Sequence, residues 1–404
     1  MHKKVLFLGG GPLQVPALAK TKALGYYVIC LDYDKNAPGS KLADKFETIS
    51  TIDTDAVLEI AKKERVAYVI TSASDAPVRT AAYVSEKLKL PTGISFNAAI
   101  RATYKDAMRK CLDEANLPIP EYRIAKSRDE FETALQYFDY NCIIKPADSS
   151  ASRGVLLLQG NQSVDVTSLY QDEMGYSKRG VLMIEEHLRG PEVSVEAITL
   201  NGETNIIAIT DKLTTEPPYF VELGHSEPSS LPTKTKREIE LITKKVVSAI
   251  GITNGPSHTE IMITEDGPKI IETAARLGGD YITAKLVPLS TGINMIDASI
   301  DLALSGAANI PKLQSRGAAI RFITSSSGTI KSITVDDAAR THPNLEEIKL
   351  YKKAGEHIHS PKSSNDRIGH VICSADDAKT ASKAADEILD GITVCIAEDK
   401  SDPS

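Results

Sequence analysis

The chain has 404 residues, more than one hydrophobic core usually serves, so roughly two to four domains are expected on size alone, with three as the working number. An apolar share of 42% beside 25% charged residues excludes a disordered or fibrous chain. A net charge of -7 without a strongly basic block speaks against nucleic acid as a partner, and no apolar run reaches the roughly 20 residues of a membrane-crossing helix.

At the N-terminus two lysines precede residues 5–8, an apolar run that stops at Gly9. It is too short for a signal peptide and reads as a strand. The five cysteines, Cys30, Cys111, Cys142, Cys373 and Cys395, are dispersed without a CxxC pair and read as reduced core residues of a cytoplasmic protein. Up to about residue 95, short apolar runs (5–8, 28–31, 68–70) alternate with helical patterns (13–24, 54–64 and one ending near Leu90). Such alternation implies parallel strands joined by crossover helices. Gly9-Gly10-Gly11-Pro12 makes a tight turn after the first strand and Asp32 closes the second, a Rossmann-like opening. Gln14 stands where a dinucleotide fingerprint has its third glycine, which favours a sharp turn over a nicotinamide site. A substrate carboxylate at the helix N-terminus is compatible with the same turn.

A helical stretch, 97–115, then runs into Leu117-Pro118-Ile119-Pro120, whose prolines end the helix and mark a boundary. Strands dominate 121–306, with hairpins around Asn201-Gly202 and Asp266-Gly267, an α+β pattern. After Pro311, strand-like segments at 318–323 and 368–373 and an alanine-rich helix over 376–389 indicate a small β-rich C-terminal lobe, and the polar end, 398–404, reads as frayed. The expected fold class is therefore mixed α/β and α+β multidomain: a Rossmann-like domain over 1–95, a central two-lobed domain over 96–310 and a C-terminal lobe over 311–404.

The segment 258–276 is the most informative. With a three-residue turn, Glu265 to Gly267, Thr264 faces Pro268 and Glu260 falls opposite Glu272 on one sheet face. With a two-residue turn the two glutamates take opposite faces, as in an ordinary solvent-facing hairpin. Opposed like charges are destabilising, so a facing pair makes sense with a cation between them. Mg2+ suits that place, because it needs few carboxylates and completes its shell with water and phosphate oxygens. Arg276, just beyond, has the fork to hold a carboxylate or phosphoryl group.

A strand over 141–145 ends in Lys145, and the small residues after it, Ser149-Ser150-Ala151-Ser152-Arg153-Gly154, can fold their N–H groups around phosphates. Taken alone, Lys145 and Lys105 read as ordinary surface lysines. The strand 181–184 runs into Glu185-Glu186-His187-Leu188, where exposed backbone can pair with an adenine and the acids can accept from its amino group or from ribose. His357-x-His359 has no third ligand at a zinc-like spacing and reads as solvent-exposed.

In this order the residues resemble the ATP-grasp superfamily over nearly the whole chain, in its biotin-carboxylase-like branch. That resemblance implies ATP phosphates on Lys105 and Lys145, under a lid over 148–154 that contains Ser149, Ser150, Ser152 and Gly154. It implies an adenine hinge at Glu185, Glu186 and Leu188, ribose at Glu192, Mg2+ (or Mn2+) on Glu260 and Glu272, and Arg276 as the arginine that steadies an acyl phosphate. The usual ending Glu-x-Asn-x-Arg is here Glu272-Thr273-Ala274-Ala275-Arg276, which leaves the choice between one and two metal ions open. The Ala-Ala form, with Tyr219-Phe220-Val221-Glu222-Leu223-Gly224-His225 ahead of Pro228-Ser229, resembles bacterial L-amino-acid ligases. The expected activity is ADP-forming amide or peptide-like ligation of a small carboxylate and an amine through an acyl phosphate, with His225 and His258 as substrate contacts. No nucleic acid or membrane partner is expected, and a homodimer is allowed. The alternatives are a purine-pathway or biotin-carboxylase-like enzyme, a nicotinamide oxidoreductase on the first domain and a non-catalytic ATP-binding protein. No Ala-Met-Lys-Met sequence for a fused biotin carrier is present.

Overall fold

A computed structural model describes residues 2–149, 153–160 and 164–397. Its first unit is a parallel sheet in the order Lys45–Thr48, Tyr27–Asp32, Lys4–Leu8, Tyr68–Thr71. Apolar residues fill the central strands: Val5, Leu6, Phe7, Leu8, Ile29 and Leu31 are all fully buried, as expected where helices cover both faces. The chain runs outward on one side of Lys4–Leu8 and then crosses to Tyr68–Thr71 on the other. The crevice at this switch point opens between the loops that follow Leu8 and Thr71, where open α/β sheets receive ligands. The strand Lys45–Thr48 was not expected, because its four residues are only partly buried and half of them are charged.

A four-stranded antiparallel sheet follows, in the order Tyr122–Ala125, Leu182–Glu186, Asn141–Pro146, Leu156–Gln159. The largest sheet has eight strands. Its first five are Gly267–Ala274, Gly255–Thr264, Glu192–Leu200, Glu203–Thr214 and Glu222–Glu227, and it continues through Gly317–Ile323, Gly369–Ala375 and Leu345–Leu350. The sheet thus passes straight across residue 310, and only the three strands His357–Ile358, Gly328–Val335 and Ile392–Ala397 make a separate C-terminal sheet. Both expected hairpins form with two-residue turns, Leu200 pairing with Glu203 and Thr264 with Gly267.

One hydrophobic core joins the first unit to the large sheet, with Phe7, Leu18 and Val28 in the same cluster as Leu286, Met295 and Ile320. Four of the cysteines are buried as expected, but Cys395 is exposed, since it lies on the outward face of Ile392–Ala397. His357 and His359 are exposed, on either side of the buried Ile358. Among the described residues no helix is long and apolar enough to cross a membrane.

Gly190 brings the loop after Leu182–Glu186 against the hairpin turn. Its φ is +144°, and a Cβ placed there would lie 1.9 Å from the carbonyl oxygen of Ile263. Gly190→Ala is expected to lower stability by roughly 1–3 kcal/mol through strain and forced displacement, seen as a lower urea midpoint; an unchanged midpoint contradicts the packing.

Candidate active site

The three sheets enclose a cleft of about 880 Å³. The loops after Leu8 and Thr71 form one wall, the four-stranded sheet the second and one face of the large sheet the third.

On the large sheet Glu260 stands directly opposite Glu272. A two-residue turn by itself puts the two on opposite faces, but the register shifts between Glu260 and Ile261, so that Ile271 is an unpaired bulge residue and Glu272 is turned back onto the face of Glu260. The Ile271 carbonyl freed by the bulge accepts a 2.7 Å bond from Nη2 of Arg109. Each carboxylate is flanked by a lysine: Lys105 Nζ lies 2.9 Å from Glu272 and Lys212 Nζ 3.4 Å from Glu260. Burial disfavours both ammonium groups, but the surrounding acids outweigh it. Glu272, Asp75 and Glu260 hold Lys105 above the usual lysine range, and Glu192, Glu260 and Glu222 do the same for Lys212. Burial likewise opposes ionisation of Glu260, yet Lys212 and His258 keep its carboxyl well below the ordinary value. Two hard-oxygen carboxylates open to a cleft fit Mg2+, which keeps several non-protein ligands. Among the described residues no group of three or more His, Cys, Asp or Glu side chains forms a closed metal cage.

Lys145 belongs to the four-stranded sheet, where Lys145 pairs with Met183 and Ile143 with Glu185. Lys145 and Glu185 therefore share a face and meet at 2.5 Å, and Arg109 binds the same carboxylate through Nε at 2.8 Å and Nη2 at 3.1 Å. Burial pushes the Glu185 carboxyl up, but the two cations outweigh it and bring it down to about 2. Lys145 moves below the usual lysine range, chiefly because burial disfavours its charge, with Arg109 and Lys105 adding to this against the pull of Glu185. Glu185, expected at an adenine hinge, thus has its side chain turned inward onto two cations. Glu186 instead meets Lys269 at 3.0 Å, and Leu188 lines the cleft beside it. Glu192 lies 2.6 Å from Lys212, and burial raises its carboxyl despite that partner.

In the expected lid, the Ser149 carbonyl accepts a 2.9 Å bond from Lys105, and Gly154 has φ +69°. Ser150 and Ser152 lie outside the described residues. Asp148 binds the Ser177 hydroxyl at 2.7 Å and the Lys178 and Arg179 amides at 3.0 Å each.

His258 faces Glu196 across two strands, with Nδ1 2.5 Å from its carboxylate and Nε2 3.4 Å from Glu260. Burial disfavours the imidazolium, but Glu196 outweighs it and raises the ring to about 9. Nε2 of His225 lies 3.4 Å from Asp280, whose carboxylate Arg367 grips at 2.8 and 2.9 Å. Arg367 also holds Glu222 at 2.9 Å and stacks 3.7 Å above the Phe322 ring. Arg276 turns away from the hairpin to Asp75, at 2.8 and 3.2 Å.

The cleft therefore brings together Lys105, Lys145, Ser149, Glu185, Glu186, Leu188, Glu192, His225, His258, Glu260, Glu272 and Arg276. Sequence reasoning missed Asp75, Lys212, Asp280 and Arg367. None of the four carries a local signal: Lys212 follows Asp211 in a strand with several polar residues, and the other three acquire their places from partners 87 or 201 residues distant.

Residues 138–284 match the ATP-grasp domain family and residues 321–397 match L-amino acid ligase C-terminal domain 2. The uncharacterized protein y4rH of Sinorhizobium fredii is 29% identical over 80% of this chain and 67% of its own length. Formate-dependent phosphoribosylglycinamide formyltransferase of Parabacteroides distasonis is 27% identical, with the match spanning 45% of this chain and 46% of that enzyme, about half its length. The crystal structure of L-amino acid ligase from Bacillus licheniformis superposes with a TM-score of 0.81 at 20% identity, over 98% of this chain and 99% of that one.

Since Glu185 is held at about 2 in the fold and titrates near ~4.3 in an unfolded chain, its ionisation contributes stability above about pH 4.3 that is lost as pH falls through the folded value. Glu185→Gln leaves Arg109 and Lys145 buried without a counter-charge and is expected to cost roughly 3–5 kcal/mol at pH 7. Urea unfolding at pH 7 and at pH 3 checks both points: the deficit shrinks at the lower pH, and an equal deficit at both counts against the network.

Proposed function

We propose that this chain, a member of the ATP-grasp superfamily, is an ADP-forming carboxylate–amine ligase that joins amino-acid substrates through an acyl phosphate. The observation that carries this is the facing pair Glu260 and Glu272 on the cleft wall, flanked by Lys105 and Lys212. Mg2+, or Mn2+ in its place, held by these two carboxylates would neutralise charge on the terminal phosphates of ATP.

Lys105 and Lys145 bind phosphate oxygens, and the loop around Ser149, Ser150, Ser152 and Gly154 covers them. The backbone from Glu185 to Leu188 receives the adenine, with Glu186 at its edge, and Glu192 meets the ribose. The substrate carboxylate attacks the γ-phosphorus and ADP leaves. The amine then attacks the acyl carbon, the bond to the phosphate oxygen breaks, and inorganic phosphate and the amine's proton are released. Arg276 steadies the phosphoryl oxygens through both steps. These roles ask for positioning and charge neutralisation rather than a protein nucleophile. His225 and His258 line the same cleft as substrate contacts.

Support for amino-acid substrates comes from the C-terminal domain match and from the wall built by the first unit. Its lining residues include Asp32 and Asp34 and no lysine or arginine, and Asp32 already takes the Gly10 amide at 2.7 Å. A phosphoribosyl substrate would meet carboxylates there, whereas an ammonium group finds acceptors.

A screen of amino-acid pairs with Mg2+ and ATP is expected to give phosphate release matched by amide product, with no stimulation by ribosyl phosphates. Stimulation by ribosyl phosphates alone would move the chain to the purine-type alternative. Glu272→Gln is expected to lower turnover by about 100-fold or more while leaving thermal unfolding near the parent value. Turnover at the parent rate removes Glu272 from the metal site.

A further inference from the structure

Asp75 is the residue before the helix Ala76–Leu88, but its backbone is already helical, with φ -75° and ψ -52°, outside the extended region from which a capping side chain accepts a backbone N–H. Its side chain makes no such bond. Both oxygens go to Arg276 instead, 2.8 Å from Nε and 3.2 Å from Nη2. The carboxylate is thus committed to a partner 201 residues away.

A guanidinium has five N–H groups. Asp75 takes the one on Nε and one on Nη2, and a third, on Nη1, donates to the Leu277 carbonyl at 3.0 Å. One N–H remains on each terminal nitrogen, and arginine binds phosphoryl oxygens through such charge-assisted N–H donors. Asp75 enters on the loop after Thr71, at the switch point of the first sheet, so the arginine following the metal-site strand is oriented by a different part of the fold.

We propose that Asp75 is a positioning residue for ligation: it fixes Arg276 so that the two remaining N–H groups meet the phosphoryl oxygens of the acyl phosphate. This rests on the function proposed above. Charge alone acts in the opposite sense, because a carboxylate beside the arginine weakens its attraction for an anion. Replacing Asp75 by a neutral residue therefore separates orientation from Coulomb attraction by the sign of the effect.

The test uses inorganic phosphate as the probe, titrated calorimetrically into the full chain saturated with MgADP. Asp75→Asn and Asp75→Ala are each expected to weaken phosphate about tenfold, within the rotamer freedom that a released arginine regains. Arg276→Ala should weaken it at least as much, and Asp75→Asn combined with Arg276→Ala no further than Arg276→Ala alone. Unchanged or tighter phosphate in the Asp75 variants, or losses that multiply in the double variant, overturns the proposal. Thermal unfolding of each protein identifies a variant that fails to fold, and either Asp75 substitution suffices for the cycle. Amide yield is measured on the same proteins. Absence of amide from the parent with a non-multiplying phosphate cycle sinks the ligase assignment and leaves the Asp75–Arg276 device standing, whereas amide formation with a multiplying cycle sinks only the device.

Discussion

Two carboxylates that face each other across adjacent strands repel, and the lysines beside them offset that repulsion. Lys105 approaches from the helix Lys105–Glu114 and Lys212 from within the large sheet, one to each glutamate. Both lysine side chains are largely covered, 9% and 7% exposed, so each needs the acid as much as the acid needs it. The opposition exists only because of the Ile271 bulge. Without that extra residue the alternation of the strand would put Glu272 on the reverse face.

A second set of charges lies deeper. Arg109, Glu185 and Lys145 are almost wholly buried and bind one another and the Ile271 carbonyl, while Nη1 of Arg109 has no hydrogen-bond partner among the described residues. Arg109 thus connects the two carboxylate systems, with one terminal nitrogen shared between Glu185 and the bulge. The outer group, Glu222, Asp280 and Arg367, links the far end of the cleft to the C-terminal part of the chain. Charge pairing, more than apolar contact, sets the side chains of this site in register.

Much of this was legible in the sequence. Alternating strand and helix patterns announce the first unit, and Asn201-Gly202 and Asp266-Gly267 announce hairpins because both turns place glycine where φ is positive. The opposition of Glu260 and Glu272 was reached by counting from a three-residue turn, whereas the chain makes a two-residue turn and a bulge, which shift the register equally. Nothing local marks Ile271 as a bulge, since the group that satisfies its carbonyl lies 162 residues away. The place of Asp75 is hidden for the same reason: its partner lies 201 residues away. The facing glutamates and Lys105 were therefore within reach of pattern reasoning, while Asp75, Arg109, Lys212, Asp280 and Arg367 were not.

The distribution of apolar cores has a mechanical consequence. The four-stranded sheet and its helices have a core of their own, around Phe131, Leu135, Ile144 and Leu182, whereas the first unit and the large sheet share one. Cores resist shear and the gaps between them do not. The small sheet is therefore tied to the rest of the chain by charge pairs rather than by a shared apolar core. Arg109 lies on the helix Lys105–Glu114, which packs on Ile270 of the large sheet, yet binds Glu185 on the four-stranded sheet, so this ion pair ties the two sheets across the seam between their cores.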